Sequence, residues 1–125
     1  MVWKSVYRSP GSDPSYVIRI AELYLIRAEA RAQQAKLTDA AADVNAIRTR
    51  AGLAATSASS KDDLLLAVEN ERRIEFALEP HRWFDLVRTG RAATVLGITD
   101  PNRYLMPIPS VQLQIDKALE QNPGY

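Results

Sequence analysis

Apolar side chains recur at helical spacing in the first third of the chain. Between Tyr16 and Ala35 there is neither glycine nor proline, and small or apolar residues return every three or four positions. This pattern predicts a helix over residues 16–35. The repeating positions are Ala21, Leu25, Ala28, Ala32 and Ala35.

A second helix is predicted after a turn of two or three residues. Thr38 is a suitable N-cap, Asp39 brings a negative charge to the first turn, and Gly52 suits the position after the helix. Because the turn is short, the two helices must pack antiparallel as a hairpin over residues 16–52. Its second apolar face is formed by Ala40, Val44, Ile47 and Ala51.

A second hairpin is predicted over residues 60–90. Ser60 and Asp63 have capping-box spacing and begin a helix that runs to about Leu78. Pro80 suits the first position of a fourth helix, which Gly90 closes. The fold class is therefore all-α, with about four main helices.

The first hairpin is tetratricopeptide-like, since Ala28 and Ala40 occupy the small-residue positions of that repeat. Residues 1–15 are rich in proline and glycine and form an irregular lead-in. Residues 91–125 are predicted to be a proline-containing loop, with a short helix from Ser110 to about Ile115.

Composition excludes several classes of function. Sixteen basic and fifteen acidic residues leave a net charge of +1, which gives no electrostatic case for nucleic acid. Without cysteine there is no disulfide, thiolate ligand or cysteine nucleophile. No stretch is apolar enough to span a bilayer, and the first eight residues lack the apolar core of a signal peptide. If this chain is a complete protein, we expect it in the cytosol. If it is part of a longer protein, its composition does not indicate where that protein is located.

The densest chemistry lies between Glu71 and Arg88, where nine of eighteen side chains are ionisable. A glycosidase needs two carboxyl groups facing each other across a sugar, and Glu75 with Asp85 is the candidate pair. The glutamates of this stretch instead recur every four residues along one helix, and they have ion-pair spacing to neighbouring arginines. A structural network is the better interpretation.

Glu71 lies on the apolar stripe predicted for the third helix, and Glu75 borders it. A carboxylate in that position must be paired, because desolvating it alone costs too much. Arg48 and Arg50, or Arg82 and Arg88, are the available partners. We predict a partly buried network that locks the two hairpins together. The stripe comprises Leu64, Ala67, Ile74 and Leu78, and the network comprises Glu71, Arg72, Glu75, Arg82, Asp85 and Arg88.

Neither a metal site nor a cofactor is expected. His81 is the only histidine, and with Asp85 it supplies two ligands at i, i+4 spacing but no third. There is no Gly-x-Ser-x-Gly turn and no glycine-rich phosphate loop. Among the aromatic residues Trp3 and Tyr7 are weak candidates for ligand contact, whereas Trp83 and Phe84 are expected in the core.

Four segments in order cover nearly the whole chain: Arg19–Ala30, Asn45–Leu53, the Glu71–Leu86 stretch, and Tyr104–Pro109 together with Gln121–Tyr125. Together they resemble the C-terminal part of the SusD/RagB family of outer-membrane nutrient-binding lipoproteins. One departure is Pro80, where that family usually has glycine.

The resemblance implies helical scaffolds whose irregular loops bind oligosaccharides or other nutrients at the cell surface. Such proteins are not enzymes; a lipidated N-terminal cysteine anchors them, and they cap a SusC-like TonB-dependent transporter. They are several times longer than this chain, so we expect it to be a C-terminal part that serves mainly as scaffold. The signal peptide and anchor are then expected upstream of the position that corresponds to Val2. A stand-alone helical module that binds another protein remains the alternative, followed by a hydrolase using Glu75 and Asp85.

Overall fold

The structure is a computed structural model, and it describes residues 18–125. Every regular element in this range is helical, so the all-α prediction is confirmed. The predicted lead-in lies outside the described residues. The elements are α1 (Ile20–Gln33), α2 (Leu37–Arg50), α3 (Lys61–Glu75), α4 (Arg82–Arg88), α5 (Ala92–Leu96), a 3-10 turn (Pro101–Tyr104) and α6 (Ser110–Ile115).

The chain divides into two compact units at the end of α3, between Glu75 and Phe76. The first unit holds α1, α2 and α3, each of which packs against the other two. The division falls inside the hairpin predicted over residues 60–90, and that pairing stays a prediction.

The core of the first unit joins alanine-rich faces of α1 and α2 to two aliphatic residues of α3. Leu25, Val44 and Leu64 are fully buried. Burying one such side chain contributes about 1.5–3 kcal/mol, so these residues supply much of the packing free energy. The small residues around them let the helices approach closely; they are Ala21, Ala28, Ala32 and Ala40.

Helices α1 and α2 end in the same closing motif. After α2, Gly52 has a φ of +73°, and Leu53 N–H donates to the carbonyl of Arg48 at 2.8 Å. The predicted role of Gly52 is therefore confirmed. After α1 the left-handed position falls to Ala35, with a φ of +59°, and Lys36 N–H donates to the carbonyl of Arg31 at 2.9 Å.

This closure of α1 explains why Thr38 is not the N-cap of α2. The chain passes from the closing motif straight into the next helix, so Lys36 becomes the cap and the helix begins at Leu37. The first helical bond joins Ala40 N–H to the carbonyl of Lys36 at 3.0 Å. Thr38 lies inside the first turn, and its prediction as the cap was wrong.

Ser60 caps α3 as predicted, because its hydroxyl accepts from Asp63 N–H at 3.1 Å and donates to the Asp63 carboxylate at 2.7 Å. The helix ends at Glu75, three residues before the predicted Leu78. Leu78 has a φ of +73°, which turns the chain out of the helix.

The turn after α3 also displaces the start of α4. Pro80 was predicted at the first position of the fourth helix, but it lies in the turn, and α4 begins at Arg82 after His81. His81 N–H donates to the carbonyl of Glu79 at 2.8 Å across the proline. Gly90 closes the helix as predicted, with a φ of +69°.

The end of the second unit is held by side chains that bond to main-chain groups. The Gln121 amide accepts from Ile108 N–H at 2.8 Å and donates to the Ile108 carbonyl at 3.0 Å. Asn122 donates to the carbonyl of Met106 at 2.7 Å, and Tyr125 donates to that of Leu105 at 2.9 Å. The segment that contains Pro107 and Pro109 is thus bonded to the last five residues of the chain.

Candidate functional site

The carboxylates in the last turns of α3 contact arginines in the last turn of α2. Arg48 Nη1 donates to Glu71 Oε1, and Arg50 Nη2 donates to Glu75 Oε2. Arg48 also donates through Nε to the carbonyl of Ala54 at 2.8 Å. Two ion pairs one helical turn apart therefore join α2 to α3.

Arg19, the residue before α1, completes this group. Its Nη1 donates to Glu75 Oε1 at 2.8 Å, and its Nη2 donates to the main-chain carbonyl of Glu75 at 2.7 Å. A carbonyl in the last turn of a helix has no partner within the helix. Arg19 therefore both neutralises the Glu75 carboxylate and caps the C-terminal end of α3. Arg19 was not among the predicted members of the network, since no local sequence pattern connects it to Glu75.

The environment of Glu75 favours its charged form. Burial by itself raises the pKa of a carboxyl group, but the hydrogen bonds and charges of Arg50 and Arg19 outweigh it. The pKa of Glu75 therefore lies below its usual value. A general acid needs the opposite shift, toward neutral pH.

A second buried carboxylate, Asp43 of α2, is also held by two arginines. Arg27 donates to both of its oxygens, at 3.0 Å from Nε and 2.7 Å from Nη2. Arg31 donates from Nη1 at 2.6 Å. Burial by itself raises the pKa of Asp43, but the hydrogen bonds and charges of Arg27 and Arg31 outweigh this effect. The pKa of Asp43 therefore lies below its usual value. The Arg27 guanidinium also lies 5.1 Å from the centre of the Tyr24 ring, a cation–π contact.

The predicted stripe of α3 was partly wrong. Leu64 and Glu71 are buried as expected, but Ile74 and Leu78 are exposed, and Val68 and Arg72 are buried instead. The buried side of α3 therefore follows Leu64, Val68, Glu71 and Arg72 instead of the predicted stripe. Leu78 lies beyond the end of the helix.

The remaining residues of the predicted network lie in α4. Arg88 donates to Asp85 Oδ1 within that helix, at 3.1 Å from Nε and 2.9 Å from Nη2. Arg82 begins the same helix. That all six residues form one network across both hairpins stays a prediction.

His81 lies in the turn before α4, and its ring is close to Glu79 and Phe76. Its Nε2 is 3.5 Å from Glu79 Oε2, and its ring centre is 4.8 Å from that of Phe76. Within residues 18–125, no three histidine, aspartate or glutamate side chains are grouped to bind a metal. In the same range, no helix has the length and apolarity that crossing a membrane requires.

The aromatic candidates divide between two groups. Trp3 and Tyr7 lie outside the described residues, so their role in ligand contact stays a prediction. Trp83 is half-buried, but Phe84 is 60% exposed, and its predicted place in the core was wrong. The buried residues of α4 are Asp85 and Leu86, of which Leu86 is fully buried.

Comparison with known proteins gives a consistent result at the level of family. The model of the SusD family matches residues 2–101. A SusD-like protein of Formosa agariphila is 34% identical over 131 residues, which cover 94% of this chain and 26% of the relative. The chain thus spans about a quarter of the length of the curated relatives it matches.

Solved structures show the same relationship. A SusD-like protein from Bacteroides fragilis superposes with a TM-score of 0.73 at 29% identity, over 95% of this chain and 28% of the other. A SusD superfamily protein from Bacteroides vulgatus gives a TM-score of 0.75 at 27% identity, over 86% of this chain and 27% of the other.

Proposed function

This chain belongs to the SusD family, and from that premise we propose that it serves in nutrient capture at the cell surface. In the proposed role the whole protein binds oligosaccharides and passes them to a SusC-like TonB-dependent transporter. It is held on the outer face of the outer membrane as a lipoprotein.

Within such a protein we assign residues 18–75 to the scaffold. The observation that carries this assignment is the pairing of three carboxylates with arginines of a neighbouring helix or helix end. Glu71 and Asp43 are buried, and Glu75 is half-buried. Groups with such partners hold helices in register. Ligand contacts then belong to other parts of the whole protein.

The same geometry supports a binding protein over a hydrolase. The candidate base or nucleophile Glu75 has two arginine partners that stabilise its charge. Attack on a sugar by this carboxylate requires those bonds to be broken. Loss of polysaccharide turnover on changing Glu75→Gln, in a protein that still folds, would overturn this part of the proposal.

The transporter partnership is tested by recovering the tagged full-length protein from native outer membranes. A TonB-dependent transporter is expected to copurify with it, and protease treatment of intact cells is expected to remove it. Recovery in the soluble fraction with a different protein partner would instead support the stand-alone interaction module.

The scaffold role is tested by glycan-array binding with two proteins, the 125-residue chain and a full-length protein containing it. Binding by the full-length protein alone is expected. Equal binding by the 125-residue chain would contradict the scaffold role, and no binding by either protein would contradict glycan capture.

A further inference from the structure

Residues 121–125 contact residues 105–108 through side chains on one segment and main-chain groups on the other, and both segments belong to the second unit. The partners follow each other in opposite order along the chain, so the two segments run antiparallel. The pairs are Tyr125 with the Leu105 carbonyl at 2.9 Å, Asn122 with the Met106 carbonyl at 2.7 Å, and Gln121 with the N–H and carbonyl of Ile108 at 2.8 and 3.0 Å.

The segment 105–109 is suited to contacts of this kind. Pro107 and Pro109 have no N–H, so the segment cannot take part in a regular β ladder. Two of its residues precede a proline, and such residues are restricted to extended conformations. The two ends of the segment are extended, with ψ of 149° at Leu105 and 135° at Pro109. Main-chain groups of such a segment need partners from elsewhere, and here side chains supply them.

The turn that contains Gly124 brings these side chains to the segment. Gly124 has a φ of +93°, which residues with a Cβ atom rarely adopt. A Cβ atom at this position would lie 3.3 Å from the Cβ of Asn102, so the turn packs closely. Asn122 N–H donates to Gln121 Oε1 at 2.9 Å, and the same oxygen accepts from Ile108 N–H. One side-chain oxygen thus links the turn to the extended segment.

Little burial holds residues 121–125 in place. The first two of them are half-buried and the other three are exposed, as are all five residues of the connection from α6, 116–120. Ordering the backbone of five residues costs more free energy than one hydrogen bond supplies. The bonds are therefore expected to form together or not at all.

From this geometry we propose that residues 121–125 are a detachable clasp over residues 105–108, which closes and opens as one unit. The closed clasp fixes the extended segment and holds the exposed side chains of Leu105 and Met106 in one arrangement. The open clasp releases three carbonyls and one N–H of the segment to solvent. Loss of a contact at one end of the clasp then affects the contacts at its other end.

Amide exchange at Ile108 in the 125-residue chain tests the proposal, because this N–H donates to Gln121. Tyr125→Phe removes only the hydroxyl that donates to Leu105, and it leaves both bonds of Ile108 in place. If the clasp opens as one unit, exchange at Ile108 is expected to become about three- to tenfold faster, the factor for one net hydrogen bond. If the bonds are independent, the exchange rate stays unchanged.

Tyr104→Phe is the matched control for Tyr125→Phe. Tyr104 donates to the carbonyl of Ile98 at 2.7 Å, which is a bond of the same kind in the same unit. Tyr104 is also closer to Ile108 in sequence than Tyr125 is, so a general loosening of the unit would be detected. Exchange at Ile108 is expected to stay within about twofold of the wild-type rate.

Gly124→Ala opens the clasp without removing a hydrogen-bonding group. The new Cβ atom is strained by the positive φ and lies against Asn102. Exchange at Ile108 is therefore expected to become at least about tenfold faster. Gly97→Ala is the control, since Gly97 has a φ of +70° but a Cβ atom there would have no atom of the described residues within 4 Å. It is expected to leave exchange at Ile108 unchanged.

Two results would overturn the proposal. One is exchange at Ile108 that Tyr125→Phe or Gly124→Ala leaves unchanged, because the bonds would then be independent of one another. The other is equal acceleration in a variant and its control, which would show general loosening of the unit and not the opening of a clasp. Unchanged circular dichroism verifies the folding of all four variants.

Discussion

Arg19 and Glu75 are 56 positions apart in sequence and are joined by two hydrogen bonds, one to the carboxylate and one to the main-chain carbonyl. The pair connects the start of α1 to the end of α3. Together with Arg50 it closes one end of the first unit, whereas Asp43 and its arginines join α1 and α2 elsewhere. The unit is thus held by paired charges as well as by its alanine-rich core.

Asp43 is expected to be the most sensitive carboxylate of α2. Asp43→Ala removes the shared partner of Arg27 and Arg31, and we expect it to lower the free energy of unfolding by about 1–3 kcal/mol. The estimate is below that for a fully buried pair because both arginines are partly solvated.

Urea denaturation followed by circular dichroism measures the effect of Asp43→Ala. Asp39→Ala is the matched control, since Asp39 is exposed in the first turn of the same helix and should cost less than about 1 kcal/mol. Equal losses in the two variants would contradict a special role for Asp43.

Stability is expected to fall in acid. The pKa values of Asp43 and Glu75 are lowered in the folded state, so these groups stabilise the fold above their unfolded pKa values. That contribution declines as the pH falls below about 4 and through the lower folded pKa values.

Urea midpoints between pH 7 and pH 3 measure this dependence. Asp43→Asn is expected to flatten the acid decline relative to the wild-type chain. An identical decline in both proteins would show that Asp43 does not contribute to it.

Replacing Ala35 with glycine is expected to stabilise the folded protein. The φ of +59° at Ala35 is unfavourable for a residue with a Cβ atom, and glycine removes that cost. We expect Ala35→Gly to raise the free energy of unfolding by about 0.5–1 kcal/mol. Ala42→Gly, at an exposed interior position of α2, is expected to lower it by about 1 kcal/mol. The same sign for both changes in thermal unfolding would contradict the assignment of Ala35 as the closing residue.

Gln121 is expected to control the order of the proline-containing segment. Gln121→Ala leaves the N–H and carbonyl of Ile108 without their side-chain partners. Amide exchange at Ile108 is therefore expected to become at least about tenfold faster. Gln114→Ala, at an exposed position of α6, is the control and should leave exchange at Ile108 unchanged.

The sequence predicted those features that depend on residues within a single helix. Helical spacing predicted the buried apolar residues of α1 and α2, the closing role of Gly52 and the Ser60 cap. It was wrong for Ala35 and Ala51, which are exposed beyond the ends of these helices. It also placed Glu71 on a buried position and named Arg48 among the available partners, which the contact between them bears out.

The rest depended on the relative placement of elements. Arg19 precedes α1, and no local pattern links it to Glu75. Asp43 had a usable signal, since it lies three residues after Ala40 and four before Ile47, on the apolar face of α2. A carboxylate in that position requires a charged partner, as Glu71 does. The end of α3 was missed because the left-handed turn at Leu78 requires a conformation that leucine rarely adopts.

The most direct measurement is the free energy of unfolding of Glu71→Ala, with Asp62→Ala on the exposed first turn of α3 as the control. Because Glu71 is buried and pairs with Arg48, we expect Glu71→Ala to lower the free energy of unfolding by about 2–4 kcal/mol. The loss for Asp62→Ala is expected to be below about 1 kcal/mol. Unchanged stability of Glu71→Ala, together with loss of oligosaccharide binding by the full-length protein carrying it, would show that Glu71 belongs to a ligand site and not to the scaffold.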